Sequence, residues 1–131
     1  MKLLLDTHNW IWNDVEPWKL SSEVTRELAS PGNELWVSPV SIWEIIVLLE
    51  KRRIDLKQDF GRWVEESSRD LDLKEAVLTL EVAHEVRFTI LAHRDPADRF
   101  LVATAKVYDL TLVTADERLL RVPGIQVLPN C

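Results

Sequence analysis

The sequence predicts an α/β fold in which a short parallel sheet of four to five strands is covered by helices on both faces. Short, nearly continuous apolar runs alternate with segments of helical period. Only three glycines interrupt the 131 residues, so the connections are expected to be short. No repeat or linker divides the chain, and its length favours a single domain over residues 1–131.

The predicted strands are apolar runs bounded by charges or turn residues. Apolar strands without alternation are typical of a parallel sheet that is buried on both faces. In chain order the strands are residues 3–5, residues 35–37, a weaker run at 76–78, residues 110–113, and an edge strand at 125–128.

The predicted helices lie between these strands. Residues 43–49 are apolar on all sides, and the approach through Pro39 and Ser41 favours a helix there over a strand. The last helix opens at Asp95-Pro96, since proline is favoured at the first helical position. The full set of predicted helices is residues 21–29, 43–49, 60–71 and 95–108.

Four carboxylates follow predicted strands or lie in the first turns of predicted helices. Asp6 follows the first strand and Asp116 follows the fourth, whereas Glu44 and Asp98 lie just inside helices. The carboxyl ends of parallel strands meet at one edge of a sheet, where ligands usually bind. We therefore expect these four acids, distant in sequence, to approach one another.

Each acid also has a purely structural interpretation. Ser41 and Glu44 have the spacing of a capping box, as do Thr114 and Glu117. Asp95 suits the N-cap of the last helix, and the acid after the first strand can cap the helix that follows it. Their conjunction, rather than any single acid, favours a functional site.

A cluster of four carboxylates predicts a cation site. At separations of about 5 Å each pair repels by roughly 3 kcal/mol at an effective dielectric of 20. Such a cluster must take up protons or bind cations. The histidines at positions 8, 84 and 93 are too scattered for a zinc site, and oxygen ligands suit Mg²⁺ or Mn²⁺. Two such ions can activate a water and stabilise the leaving oxygen of a phosphodiester.

The net charge of −6 argues against a protein that holds nucleic acid by bulk phosphate neutralisation. It is compatible with an enzyme that meets nucleic acid through bound metal ions and a local basic patch. The densest basic run is Lys51-Arg52-Arg53, which is either a solvated helix end or a phosphate contact.

No apolar run approaches the roughly 20 residues that span a bilayer, and Asp6 interrupts the first run after three residues. The expected location is therefore the cytoplasm, with no membrane association. The single cysteine, Cys131, is compatible with a reducing compartment.

Four blocks of the sequence resemble the motif blocks of PIN-domain ribonucleases, and most closely those of the VapC toxins of VapBC toxin–antitoxin pairs. Each block contains one of the four acids, and together the blocks cover essentially the whole chain: residues 3–8, 38–44, 93–99 and 112–116. The resemblance implies a PIN-like three-layer α/β/α sandwich. One departure is Ala97, where many relatives have a bulky aromatic residue, which is a change in packing.

The resemblance also implies roles for individual residues. Asp6, Glu44, Asp98 and Asp116 correspond to the family's ligands for Mg²⁺ or Mn²⁺. Asp95 either caps the helix alone or holds a water on the metal, and Arg99 either steers a phosphate or orients Asp98. The supporting positions are Thr7, Ser41, Asp95, Arg99 and Thr114.

The implied activity is endonucleolytic cleavage of RNA, with tRNA or rRNA as common substrates in the family. The implied partners are a cognate VapB-like antitoxin and a second copy of the chain, in a homodimer or a larger toxin–antitoxin assembly. Trp12 and Trp18 are expected to be exposed, where they can receive bases or the antitoxin. The other tryptophans of apolar segments are expected in the core or at a subunit interface: Trp10, Trp36, Trp43 and Trp63.

Two other interpretations remain open. A phosphatase with an aspartyl nucleophile at Asp6 usually needs a second acid two residues on, where this chain has His8. A catalytically silent PIN-like interaction module would not need all four acids.

Overall fold

A five-stranded parallel sheet forms the middle layer of the computed structural model, which describes residues 1–91, 93 and 95–131. The strands are β1 (Lys2–Leu5), β2 (Glu34–Val37), β3 (Lys74–Glu75), β4 (Thr111–Thr114) and β5 (Gln126–Pro129). Their spatial order is β3-β2-β1-β4-β5, with all four pairings parallel. In the central strand, Leu4 aligns with Trp36 of β2 and with Leu112 of β4. The C-terminal ends of β1 and β4 therefore lie side by side.

The helices of the described ranges connect these strands. They are α1 (Thr7–Val15), α2 (Ser22–Ala29), α3 (Pro39–Glu50), α4 (Phe60–Asp70), α5 (Leu80–Glu85) and α6 (Pro96–Tyr108). Short 3-10 turns follow at Pro17–Lys19, Val86–Phe88 and Glu117–Leu119. None of the described helices is both long and apolar enough to cross a membrane.

Side-chain alternation along β1 divides the apolar core into two halves. Leu3 and Leu5 face one half, where Trp10 of α1 and Trp63 of α4 are buried. Leu4 faces the other half, which α6 covers. The sheet thus lies between two helical layers, and the predicted α/β/α architecture is confirmed.

The helix starts explain how α3 and α6 reach the sheet edge. Ser38 caps α3 by accepting the backbone N–H of Val40, and Pro39 is the first helical residue. Asp95 caps α6 in the same way, with Pro96 in the first turn. Proline favours this position because its fixed φ suits a helix and its missing N–H costs nothing there.

Both predicted capping boxes are wrong. Ser41 lies inside α3, because the helix begins at the proline two residues earlier. No α-helix follows Thr114; a 3-10 turn begins after Asp116, whose carboxylate accepts the backbone N–H of Arg118.

The third strand lies earlier than its predicted position at residues 76–78. β3 pairs with the end of β2, and the last such bond runs from the backbone N–H of Ala76 to Val37 O at 2.8 Å. β2 ends there, so the apolar residues that follow have no strand to pair with. The sequence analysis also missed α5, a short helix capped by Thr79.

The tryptophan predictions are partly correct. Trp10 and Trp63 are buried, and Trp18 is 74% exposed. Trp43 is 53% exposed in the isolated chain, which excludes it from the core, whereas Trp12 is only partly exposed.

Candidate active site

An open cavity of about 320 Å³ lies where the ends of β1 and β4 meet the N-terminal halves of α3 and α6. The acids Asp6, Glu44, Asp98 and Asp116 all line this cavity, together with Asp95. The other residues in its wall are Thr7, His8, Trp12, Leu101, Ala115 and Arg118. The structure therefore brings together the four acids that the sequence predicted to converge.

Asp6 follows β1 directly and caps α1. Its Oδ1 atom accepts hydrogen bonds from the backbone N–H of Asn9 at 2.8 Å and from Asn9 Nδ2 at 2.7 Å. Burial raises the pKa of Asp6 above its usual value, although hydrogen bonds from Thr114 and Asn9 act in the opposite direction. The cap and the Thr114 hydroxyl fix this carboxylate at the end of the central strand.

Glu44 is held by a pair of hydroxyl groups. Thr7 Oγ1 lies 2.5 Å from Glu44 Oε1 and 2.9 Å from Ser41 Oγ. Because a hydroxyl can donate only one hydrogen bond, Thr7 donates to the Glu44 carboxylate and accepts a hydrogen bond from the Ser41 hydroxyl. Burial raises the pKa of Glu44 to about 7, and the nearby charges of Asp95, Asp98 and Asp6 contribute in the same direction.

Asp98 lies in the first turn of α6 and contacts a histidine that the sequence analysis did not select. His93 Nε2 and Asp98 Oδ2 are 2.7 Å apart, and both side chains are only 12% exposed. Burial is the main cause of the raised pKa of Asp98. One ligand atom each of His93, Asp98 and Asp116 lies within 4.8 Å of the others. His93, which lies in the third motif block, is therefore within reach of a cation held by these two acids.

Asp116 is paired with Arg118, the second residue that the sequence analysis missed. The guanidinium bonds both carboxylate oxygens, with Nε–Oδ1 at 3.0 Å and Nη2–Oδ2 at 2.8 Å. These bonds hold the pKa of Asp116 below its usual range. The backbone N–H of Asp116 is bound by Thr114 Oγ1 at 3.1 Å. Arg118 therefore brings a positively charged side chain into the wall of the cavity.

Asp95 and Arg99 have separate roles. Asp95 Oδ1 accepts the backbone N–H groups of Ala97 at 3.0 Å and Asp98 at 3.4 Å, so the predicted cap also lines the cavity. Arg99 points elsewhere and donates to Val86 O at 2.8 Å and Thr89 O at 3.1 Å. It ties the preceding turn to α6 and is not among the residues that line the cavity, so the structure does not bring it together with the four acids. Arg94, in the same motif block, lies outside the described residues.

The donor set of this cavity fits a hard divalent cation. Burial raises the pKa of three of its carboxyl groups, and repulsion among the acids contributes to the shifts at Glu44 and Asp98. A bound cation removes both costs, since it replaces water as a partner and cancels the repulsion. Carboxylate oxygens outnumber the imidazole nitrogens of His8 and His93, which is the ligand preference of a hard ion.

Comparison with known proteins agrees with this fold. The family model described as PIN domain matches residues 3–125. The chain belongs to the PIN-domain family, as a member of its VapC group. It is 34% identical over 122 residues to Ribonuclease VapC22 of Mycobacterium tuberculosis, with 89% of this chain and 88% of that protein covered.

Two solved structures share the fold at lower identity. VapBC2 from Rickettsia felis, bound to a DNA fragment from its promoter, matches with a TM-score of 0.68 and 15% identity over 100% of both chains. DNA-bound VapBC from Salmonella typhimurium matches with a TM-score of 0.68 and 17% identity, covering 100% of this chain and 99% of that one.

Proposed function

We propose that this protein is a metal-dependent endoribonuclease and the toxin of a VapBC-type toxin–antitoxin pair, with the activity carried by one domain over residues 1–131. The observation that carries the proposal is the convergence of Asp6, Glu44, Asp98 and Asp116 on one cavity. Two comparisons support the proposal: the similar Mycobacterium protein is named a ribonuclease, and the similar solved structures are VapBC complexes.

The proposed resident cation is Mg²⁺, which Mn²⁺ can replace. Asp98, Asp116 and His93 would hold one ion, and the carboxylates of Asp6 and Glu44 would share it or hold a second. When bound, such a cation supplies an activated water at neutral pH and stabilises the leaving oxygen of a phosphodiester.

The chain's own residues orient this chemistry. The Thr7–Ser41 hydroxyl pair fixes the Glu44 carboxylate. The hydrogen bond by which Asp6 caps α1 fixes the Asp6 carboxylate. His8 and Trp12 also line the cavity, with ring centroids 5.5 Å apart and ring planes inclined by 48°, and offer aromatic faces beside the acids for a base.

The proposed partners are a VapB-like antitoxin and a second copy of the chain, in a homodimer or larger assembly, and the proposed place of action is the cytoplasm. Trp43 and Ile46 of α3 are 53% and 39% exposed, which supplies an apolar surface for a protein partner. The proposed substrate is cellular RNA, with tRNA and rRNA as the first candidates.

Incubation of the purified protein with total tRNA and rRNA tests the activity. We expect cleavage in Mg²⁺ or Mn²⁺, no cleavage in excess EDTA, and products with 5′-phosphate and 3′-hydroxyl ends, because the activated water attacks phosphorus, the P–O3′ bond breaks and the 3′ oxygen leaves with a proton. Sequencing of the 5′ ends identifies the site.

Undiminished cleavage in EDTA, with 2′,3′-cyclic phosphate ends, would contradict the proposal, since that chemistry uses the ribose hydroxyl. A phosphoryl group trapped covalently on Asp6 would instead favour the phosphatase alternative.

Arg118 is expected to compete with the cation for Asp116. Replacement of Arg118 by glutamine frees both carboxylate oxygens, and the Kd for Mn²⁺, measured by isothermal titration calorimetry, should fall about two- to fivefold, as for the loss of a solvent-exposed ion pair. Arg121→Gln, which removes an exposed charge outside the cavity wall, is the matched control. An unchanged or higher Kd for Mn²⁺ in Arg118→Gln would show that Arg118 does not occupy the cation's place.

A further inference from the structure

A second cavity, of about 390 Å³, lies beyond the C-terminal ends of α1 and α3. It is lined by Glu16, Trp18, Arg52, Arg53, Asp55 and Lys57, with two aliphatic side chains beneath, and we name it the basic cleft. We propose that the basic cleft binds the phosphates and one base of single-stranded RNA next to the segment that is cleaved. The choice of RNA over other polyanions rests on the proposed function.

The cleft carries positive charge that its own acids do not neutralise. Arg52, Arg53 and Lys57 are exposed, and none of their side chains forms an ion pair with any described residue. Asp55 uses Oδ1 to accept the backbone N–H of Lys57 at 2.7 Å, and Glu16 is paired with Lys19 at 2.5 Å. A polyanion is the complementary ligand for such a surface.

The basic cleft brings three cations without ion pairs to any described residue into one cavity of an acidic chain. Five of the twelve other Lys and Arg side chains in the described ranges pair with acids, at Lys19, Arg62, Arg69, Lys74 and Arg118. At a net charge of −6, the protein as a whole repels RNA, so a local basic surface is needed for contact with phosphates.

Trp18 adds an aromatic face to the cleft. Its side chain is 74% exposed. The 3-10 turn Pro17–Lys19 holds it in place, through bonds from the backbone N–H of Lys19 to Glu16 O at 2.9 Å and from that of Leu20 to Pro17 O at 3.1 Å. An exposed indole on an ordered turn beside cationic groups has the composition of a single-strand site, in which bases stack and phosphates are paired.

The backbone at Arg52 allows its side chain to be tested separately from the fold. Arg52 follows the C-cap residue Lys51 with φ of 54°, and the N–H of Arg53 bonds to Leu48 O at 2.9 Å. Glycine is the favoured residue at this left-handed position, although Asp72 after α4 and Asp109 after α6 also adopt it. Glycine at position 52 would therefore remove the arginine side chain without straining the turn.

The cleft and the candidate active site are both lined by residues of α1. Thr7 and Trp12 of this helix line the active-site cavity, and Val15 lines the cleft. The nine residues from Thr7 to Val15 make eight steps of 1.5 Å, or about 12 Å. Lys19 bridges the gap, with Nζ 5.5 Å from the centroid of the Trp12 ring. A single strand lying on this path would meet the acids and the cleft together.

Fluorescence anisotropy of a fluorescein-labelled 12-nucleotide oligouridylate tests the proposal on the full chain in EDTA, where cleavage is not expected. The Arg52→Gln/Arg53→Gln double variant should bind about tenfold more weakly at low salt, and the slope of log K against log salt should shrink by about 1.4, that of two phosphate contacts. Trp18→Ala should weaken binding by at least about fivefold. The control Arg26→Gln, exposed on α2 outside both cavities, should leave binding unchanged.

Arg52→Gly removes the side chain while suiting the backbone. We expect a Tm equal to or above that of the wild type, together with weaker RNA binding and a higher KM at unchanged kcat. If the double variant and Trp18→Ala bind RNA as well as Arg26→Gln does, the inference is wrong.

The inference is equally wrong if these variants lose only assembly with the antitoxin, because the cleft then serves a protein partner. If the wild type binds RNA in a salt-sensitive way that depends on the cleft but cleaves no RNA, RNA binding by the cleft is supported and the proposed nuclease activity is refuted.

Discussion

Asp6→Asn is expected to lower RNA cleavage by about 10³-fold, and to abolish toxicity on induction, while the protein remains folded. Asparagine is as good an N-cap as aspartate, so its Oδ1 can still accept the N–H of Asn9 and α1 is retained. The lost negative charge removes a cation ligand, for which a cost of about 4 kcal/mol in transition-state stabilisation is expected. Initial rates on a labelled RNA substrate measure this loss.

Asp59→Asn provides a matched control. Asp59 caps α4 by accepting the N–H of Arg62 at 3.1 Å and lines neither cavity. The same substitution at the same kind of helix position should leave cleavage unchanged. Full activity in purified Asp6→Asn, or an equal loss in both variants, would contradict the assignment of Asp6.

Glu44→Gln is expected to make the metal-free protein more stable at pH 8 and to have little effect near pH 4. The pKa of Glu44 is about 7 in the folded protein, above its ordinary value of 4.5, so the folded state binds this proton more tightly than the unfolded state does. The resulting stability is fully present below about pH 4.5 and is lost as the pH rises to about 7.

Glutamine carries no such proton and keeps an oxygen that can accept the hydrogen bond from Thr7. Because Glu44 is partly exposed and solvent screens its charge, we expect a gain of about 1–2 kcal/mol, or roughly 5 °C in Tm. Thermal unfolding in EDTA at pH 4 and pH 8 measures the difference. Added Mn²⁺ should stabilise the wild type more than Glu44→Gln, since the variant has lost a ligand.

Glu65→Gln, an exposed position on α4, controls for the general effect of removing a negative charge. A pH dependence of the same size in this control would show that the effect does not come from the cluster. A Glu44→Gln protein that is less stable than the wild type at pH 8 would contradict the raised pKa.

The convergence of the acids could be predicted because it follows from topology. Asp6 and Asp116 follow strands that are neighbours in a parallel sheet, and Asp98 follows a proline that starts a helix. Glu44 was selected because it lies just inside the helix after the second strand, and the capping box that was its structural alternative does not form. Glu44 reaches the cavity because Ser41 and Glu44 lie three residues apart on one face of α3, next to Thr7.

The rest of the site depends on contacts that sequence spacing does not specify. His93 reaches Asp98 through the path of the chain before α6, and Arg118 folds back on Asp116 through a side-chain rotamer. Arg99 differs from Asp98 by one helical position, so it points about 100° away around α6 and bonds to Val86 O instead. The sequence also predicted a helix where the 3-10 turn Glu117–Leu119 lies, since local spacing alone does not distinguish the two.

Anomalous diffraction from crystals grown with Mn²⁺ tests most directly whether these carboxylates form a divalent-cation site. We expect an anomalous peak in the active-site cavity, within about 2.0–2.6 Å of oxygen atoms of Asp98 and Asp116 and with Asp6 or Glu44 in direct or water-bridged contact, accompanied by release of Arg118 from Asp116. A fully occupied Mn²⁺ peak elsewhere on the protein, with this cavity empty and the Arg118–Asp116 pair intact, would contradict the account.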